Sequence, residues 1–354
     1  MVTLGHAQLF AATSPDWAEM LGRVRHDVYH TAEYHSVPGF GQEGQAFVFA
    51  YREDDLVFLW PYLLTPAAGA SGYHDVTSVY GYSGPVSSPG TAFAERAWQG
   101  LLDHWRMQGV ISAFTRFHPL LGNHELIQGR RDGLRRCGST VSIDLSIPAA
   151  EQIRRYQKVL RQEIRQSREN GFVTTEDEAW HYVDDFVQHY RDTMIRRNSR
   201  PEYLIDAAWV NAFRERLGGR ARLFVTQWNG QVAAALLAME YGPFLHAHLT
   251  GINAGMVSYS PLKILIDDIR AWGTKRGLQS FHLGGGLGGR EDSLYQFKRK
   301  FSPVTHEFYT GSWILNPELY GELEADHRRK FAAQGIDIGD PAFFPVYRYQ
   351  PDLQ

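Results

Sequence analysis

Phe281-His282-Leu283-Gly284-Gly285-Gly286-Leu287-Gly288-Gly289-Arg290 runs directly into Glu291-Asp292-Ser293-Leu294-Tyr295-Gln296-Phe297-Lys298-Arg299-Lys300-Phe301. An apolar run that stops in glycines and restarts as a charged, helix-period segment reads as a strand, a backbone-exposing turn and a helix N-terminus, where proteins place anions and reacting carbonyls. Acids at the start of that helix (Glu291, Asp292) and bases at its end (Lys298, Arg299, Lys300) match the helix dipole. Lys298 sits between Phe297 and Phe301, and a lysine in an aromatic setting beside a glycine-lined cleft can stabilise an oxyanion or a phosphate. The same charges serve equally well to stabilise the helix alone. Gly284-x-Gly286-x-x-Gly289 formally fits a dinucleotide fingerprint, but no clear parallel strand follows its helix and no acid stands at the required distance. A Walker A loop is excluded because no Gly-Lys-Ser/Thr follows the glycines.

Working outward, the strand before the glycines is preceded by a helix. Ser260-Pro261 reads as an N-cap with proline at the first helical position, then Leu262, Leu265, Ile266, Ile269 and Trp272 share one face before Gly277 ends the helix. Before it, residues 221–236 read as a hairpin around Asn229-Gly230, a type I′ signal. Residues 45–60 repeat this hairpin, and residues 92–117 repeat the helix, glycine and strand. An internal repeat of roughly 170 residues indicates duplicated domains, not a solenoid. The boundary is placed in Pro148-Ala149-Ala150, giving domains of 1–148 and 149–354 and an α/β fold in which each domain has a sheet flanked by helices.

The 36 Lys and Arg against 39 Asp and Glu leave a net charge of -3, which excludes a protein that coats duplex DNA but permits a local basic surface. Arg154, Lys158, Arg161, Arg165 and Arg168 recur at helical spacing and form one basic stripe, while Ile153, Leu160 and Ile164 take another face. Within that stretch only Glu163 compensates. A solvated face and a seat for a polyanion, such as an RNA end or a phosphate-bearing cofactor, fit the stripe equally.

The histidines show no His-Glu-x-x-His or comparable ligand spacing, so no metal site is expected. His246-x-His248 reads as a polar core or cleft wall, and His282, on the strand before the glycines, is the better functional candidate. No Gly-x-Ser-x-Gly elbow supports a Ser-His-Asp hydrolase. Tyr73 to Ser88, rich in Tyr, Gly, Ser and Pro, reads as a loop over a cleft. The single cysteine, Cys137, allows no intramolecular disulfide and fits a reducing cytoplasm as a buried thiol. Met1 to Pro15 show no secretory pattern, and no window approaches the about 18 apolar residues of a membrane span, so the expectation is a cytoplasmic protein without membrane insertion.

These residues resemble a known family. Leu283-Gly284-Gly285-Gly286 followed by residues 292–301 is similar to the C-terminal signature of the Fem-type aminoacyltransferases and their relatives in the GNAT superfamily. Tyr190-Arg191-Asp192-Thr193-Met194-Ile195-Arg196 with Tyr203, the basic helix ending in Gly171, and Tyr82-Ser83-Gly84-Pro85-Val86 fit the same pattern. The resemblance implies two tandem GNAT-like subdomains, each a mixed, mostly antiparallel sheet flanked by helices. It also implies transfer of an aminoacyl group from aminoacyl-tRNA to an amine or, alternatively, of an acyl group from acyl-CoA, with no further cofactor. By motif, Phe297 and Lys298 fall at the reacting end of the donor, with Lys298 stabilising charge. The stripe Arg154, Lys158, Arg161, Arg165 and Arg168, with Gly285, Gly286, Arg290 and Tyr295, is then expected to hold the donor. Tyr80, Tyr82, His118, Arg196, Tyr203 and His282 are expected to line the acceptor side. Bridge-building Fem enzymes tend to carry an aspartate shortly after Gly-Pro-Val, where this chain has Ser87 and Ser88. A peptidoglycan precursor is therefore not the expected acceptor; a small amine or peptide of specialised metabolism is, with the general base unassigned and the protein a monomer.

Overall fold

The computed structural model describes residues 6–39, 44–130 and 132–351. At the N-terminus, β1 (His6–Ala11) is followed by the short helices α1 (Pro15–Leu21) and α2 (Ala32–His35). β1 then pairs antiparallel with β2 (Gln45–Glu53), and β2 turns at Asp54, φ 49°, into β3 (Leu56–Pro66). The stretch expected to be all loop instead begins with a strand, β4 (His74–Thr77), and ends in β5 (Val86–Ser87), both paired with β3. α3 (Thr91–Met107) buries Phe93, Ala97, Trp98, Leu101 and Trp105, and β6 (Val110–Arg116) returns parallel to β4. Trp60, Trp98, Trp105 and Trp313 meet in the core of this unit. Burying such large rings dominates the stabilisation of its sheet-helix contact.

The second unit repeats the scheme. After β7 (Leu134–Asp144) come α4 (Ala149–Arg154), α5 (Lys158–Glu169), β8 (Val173–Glu176), α6 (Val183–Arg196) and α7 (Ala207–Leu217). β9 (Ala221–Trp228) and β10 (Gln231–Tyr241) form the expected hairpin, with Asn229 at φ 49° and Gly230 at φ 76°, and β11 (Phe244–Ile252) follows. α8 (Leu262–Lys275) lays Ile264, Leu265, Ile266 and Ile269 on the sheet. Ser260 does not cap it as expected; at φ 51° it closes the preceding 3₁₀ turn, and Pro261 stands at the cap. β12 (Ser280–Gly284) runs parallel to β11, and α9 (Ser293–Arg299) ends the repeat.

β13 (Thr305–Ile314) and α10 (Pro317–Ala332) close the chain. The compact units are Met1–Arg136 with Tyr309–Gln354, and Cys137–Phe308, whereas the repeat read from sequence divides the chain linearly into 1–148 and 149–354. The pairing explains the difference. β7 follows the first repeat yet pairs with β12, and β13 follows the second yet pairs with β6. The strand orders are therefore β1-β2-β3-β4-β6-β13 in the first unit and β8-β9-β10-β11-β12-β7 in the second, each mostly antiparallel with one parallel pair (β4 with β6, β11 with β12). Among the described residues no helix is long and apolar enough to cross a membrane.

Candidate active site

The chemistry of the second unit gathers where β12 ends. Side-chain alternation sends Phe281 and Leu283 into the core, and His282 to the other face of the sheet. There His282 Nδ1 lies 3.3 Å from His246 Nδ1, at the last paired position of the β11–β12 register, and both rings are buried. His248, two residues along β11, stacks on Phe213, with ring centroids 5.3 Å apart. Burial, reinforced by His246, pushes its imidazole down to about 3.

The turn after β12 is closed by its own chain. A Cβ on Gly286 would overlap the Arg290 carbonyl and the Asp292 carboxylate, and Gly289, at φ 84°, faces Cys137 and Phe308. At Gly285, Gly286 and Gly289 a Cβ would meet protein atoms, while only open space faces Gly288. Asp292 binds turn and helix together, accepting from Leu287 N at 2.9 Å and from Tyr295 N at 3.0 Å. Burial pushes its carboxyl up, but the N–H groups of Tyr295, Leu287 and Leu294 outweigh this and hold it below the ordinary value.

Lys298, in the last turn of α9, donates from Nζ to the Gly285 carbonyl at 2.7 Å. Burial first, then the nearby Arg197 guanidinium, pull its ammonium down to about 8, against the opposing pull of Asp292. One of its three N–H bonds is spent on Gly285, which orients the others. Phe297 packs against the core with its ring 5.6 Å from that of Phe301. Tyr295, expected at the donor, is instead a core residue, 5% exposed among Val141, Leu283 and Phe301. Exposed Arg290 turns back and donates from Nε to the Leu287 carbonyl at 3.2 Å.

The five basic residues do not share one helix. Arg154 ends α4, Lys158 begins α5, and the chain breaks helix between them, with Tyr156 turned into the core. Nor is Glu163 the only compensating acid. Arg154 pairs with Glu151, Arg165 approaches Glu169 at 3.5 Å, and Arg168 binds both Asp267, at 2.9 Å, and Asp268, while Glu163 takes Lys263 at 2.7 Å. Glu151 and Glu169 are near neighbours within α4 and α5, whereas the acids on Arg168 come from α8, which the spacing within α5 could not reveal. Lys158, Arg161 and Arg165 remain exposed on α5. At the end of α6, exposed Arg196 donates to Thr193 Oγ1 at 3.1 Å, and Tyr203 lies half-buried in the 3₁₀ turn Pro201–Tyr203.

Tyr80, Tyr82 and His118 belong to the first unit, where the structure joins them to residues the sequence did not single out. His118, wholly buried, donates from Nε2 to Asp27 Oδ2 at 2.7 Å, and its Nδ1 accepts from Leu121 N at 3.2 Å. The Tyr29 ring packs edge-on against Tyr34 and Tyr82, and Tyr34 OH donates to the Tyr80 carbonyl at 2.7 Å. Burial, then Tyr34 and Tyr82, push the Tyr29 phenol far above its ordinary value. Asn123 ties the Gly-Pro-Val segment down, accepting from His118 N at 2.7 Å and donating to the carbonyls of Ser83 and Pro85. An Asp buried by tertiary packing carries no local sequence signal, which is why Asp27 escapes a reading by motif.

Residues 154–299 match the family model of the acetyltransferase (GNAT) domain. No curated protein sequence matches the chain. Among solved structures, the crystal structure of FemX is similar over 89% of this chain and 99% of its own, at 12% identity and a TM-score of 0.69. The C-terminal domain of a protein provisionally assigned as a lysylphosphatidylglycerol synthetase from Agrobacterium fabrum is similar over 83% of this chain and 92% of its own, at 18% identity and a TM-score of 0.52. A tandem GNAT protein from the clavulanic acid biosynthesis pathway covers 89% of this chain and 99% of its own, at 10% identity and a TM-score of 0.50. The fold is that of tandem GNAT proteins, and the segment 154–299 matches the GNAT acetyltransferase domain model.

Proposed function

We propose that this protein transfers an amino acid from aminoacyl-tRNA to the amine of a small-molecule or peptide acceptor. The observation that carries the reading is Lys298, half-buried and fixed by its 2.7 Å bond to the Gly285 carbonyl at the end of β12, in the motif that resembles the Fem-type signature. The acceptor nitrogen attacks the ester carbonyl, a C–N bond forms, the ester C–O bond breaks, and the amine proton ends on the released ribose hydroxyl. Such an aminolysis needs an oriented carbonyl and stabilised oxyanion charge, and the Lys298 ammonium supplies the latter. Of the five basic residues assigned to the donor, exposed Lys158, Arg161 and Arg165 meet its phosphates; Arg168, engaged by Asp267 and Asp268, and Arg154, engaged by Glu151, flank them. Likeness in fold to FemX and to the assigned lysylphosphatidylglycerol synthetase supports aminoacyl transfer.

The second reading, an acyl-CoA-dependent N-acyltransferase, is favoured by the acetyltransferase family match over 154–299. The two separate in one experiment. The protein is incubated with charged total tRNA and a metabolite extract, and new amides are sought by mass, with and without ribonuclease. Ribonuclease-sensitive amide formation is expected; ribonuclease-resistant transfer driven by a thioester alone overturns the tRNA reading.

A further inference from the structure

We propose that Trp228 and Tyr259, backed by Phe172, form a stacking platform for the single-stranded end of an RNA whose backbone lies along α5. The proposal rests on the aminoacyl-tRNA reading above. The Phe172 and Trp228 rings are parallel within 5°, with centroids 5.1 Å apart, and the Tyr259 ring lies 4.9 Å from Trp228. Trp228 Nε1 donates to the Asn170 carbonyl at 2.9 Å, which fixes the indole at the end of α5. Unlike the tryptophans of the first unit's core, this group is open: Trp228 is half-buried, Tyr259 is 48% exposed, and Val173 and Val257 beside them in the chain are exposed as well.

The platform continues a line of charge. Lys158, Arg161 and Arg165 are exposed along α5, and its chain runs through Asn170 and Gly171 directly into Phe172. Among the described residues no carboxylate pairs with Lys158 or Arg161. From Lys158 to Arg165 the helix rises about 10 Å, which suits successive phosphates of a strand better than a single anion. Aromatic faces accept any base and cations take the backbone, a combination that binds single strands without reading sequence and weakens with salt.

The test uses the full chain and a fluorescein-labelled hexaribonucleotide ending in CCA, titrated by anisotropy at several salt concentrations. The expected result is that Trp228→Ala with Tyr259→Ala weakens binding about tenfold or more, leaving the salt dependence unchanged, while Trp228→Phe retains binding. Lys158→Gln with Arg161→Gln is expected to weaken binding and to flatten the salt dependence by about 1.4 in slope. Tyr259→Ala alone, on an exposed ring, keeps the test valid if Trp228→Ala fails to fold. Equal binding by the aromatic variants and the wild type overturns the platform, as does displacement of the RNA by coenzyme A in a manner that depends on Trp228. Ribonuclease-resistant transfer alongside Trp228-dependent RNA binding removes the function and leaves the platform. Ribonuclease-sensitive transfer unaffected by the aromatic variants does the reverse.

Discussion

The ends of β6 and β12 stand at equivalent places in the two units, each after a helix, a left-handed glycine (Gly109 or Gly277) and a strand parallel to its neighbour. β6 runs on into His118, where Asp27, Leu121 and Asn123 use both ring nitrogens and the backbone N–H. β12 instead breaks into the Gly284–Gly289 turn and is followed by α9, which brings Lys298 to the Gly285 carbonyl. One copy of the scaffold ends in a buried polar knot, the other in a half-buried ammonium with donors to spare. On the proposed reading, the same backbone serves stability at one end and chemistry at the other, with the turn sequence deciding which.

The sharpest way to break this contrast is His118→Ala. Removing the partner of a buried carboxylate is expected to cost about 3–5 kcal/mol of stability, read as the shift of a urea midpoint. A variant that unfolds like the wild type but loses acceptor affinity would show that β6 also ends in a site. Lys298→Ala should leave the urea midpoint no lower and cut turnover on saturating donor by about 10²–10³-fold, or about 2.7–4 kcal/mol. Wild-type turnover would remove Lys298 from the chemistry. Gly286→Ala, which drives a methyl into the Arg290 carbonyl and Asp292, is expected to destabilise by about 1–3 kcal/mol and to lower turnover by moving α9.

The pH profile separates the two ends more finely. In the proposed reaction Lys298 acts as an ammonium with a pKa of about 8, so it contributes a limb on which turnover falls as pH rises through that value, separate from the low-pH limb on which the acceptor amine is protonated. In Lys298→Arg any remaining activity should lack the high-pH limb. The smallest effect concerns stability. Because the folded pKa lies below the unfolded value of 10.5, the folded state binds fewer protons between about 8 and 10.5, and stability from this group rises with pH across that window. Lys298→Met should therefore be more stable than the wild type at pH 7, with the gap closing towards pH 10, as measured by urea midpoints. A constant gap would place the ammonium in water.

Much of the fold could be read locally. The Asn229-Gly230 turn, the apolar face of the helix over 262–275 and the repeat of hairpin, helix and glycine all depend on neighbours in sequence, and the structure keeps them. The position of Lys298 beside the glycine turn was legible because glycines, an N-cap and a Phe-Lys pair follow one another within a few residues. Asp27, Tyr29, Tyr34 and Asn123 were not, because each is placed by contact with residues distant in the chain. The basic stripe is changed only in part by distant contacts: a break at Tyr156 and the nearby acids Glu151 and Glu169 act locally, while α8 takes Arg168 from far along the chain.

Periodicity, turn residues and the order of the repeats thus followed from the chain alone, since φ/ψ preferences and side-chain alternation act over a few residues. Which strand completes each sheet, what the turn glycines face, which acid takes Arg168 and how far the Lys298 ammonium is weakened depended on packing. Burial and long-range pairing set those energies, and neither is a function of local sequence.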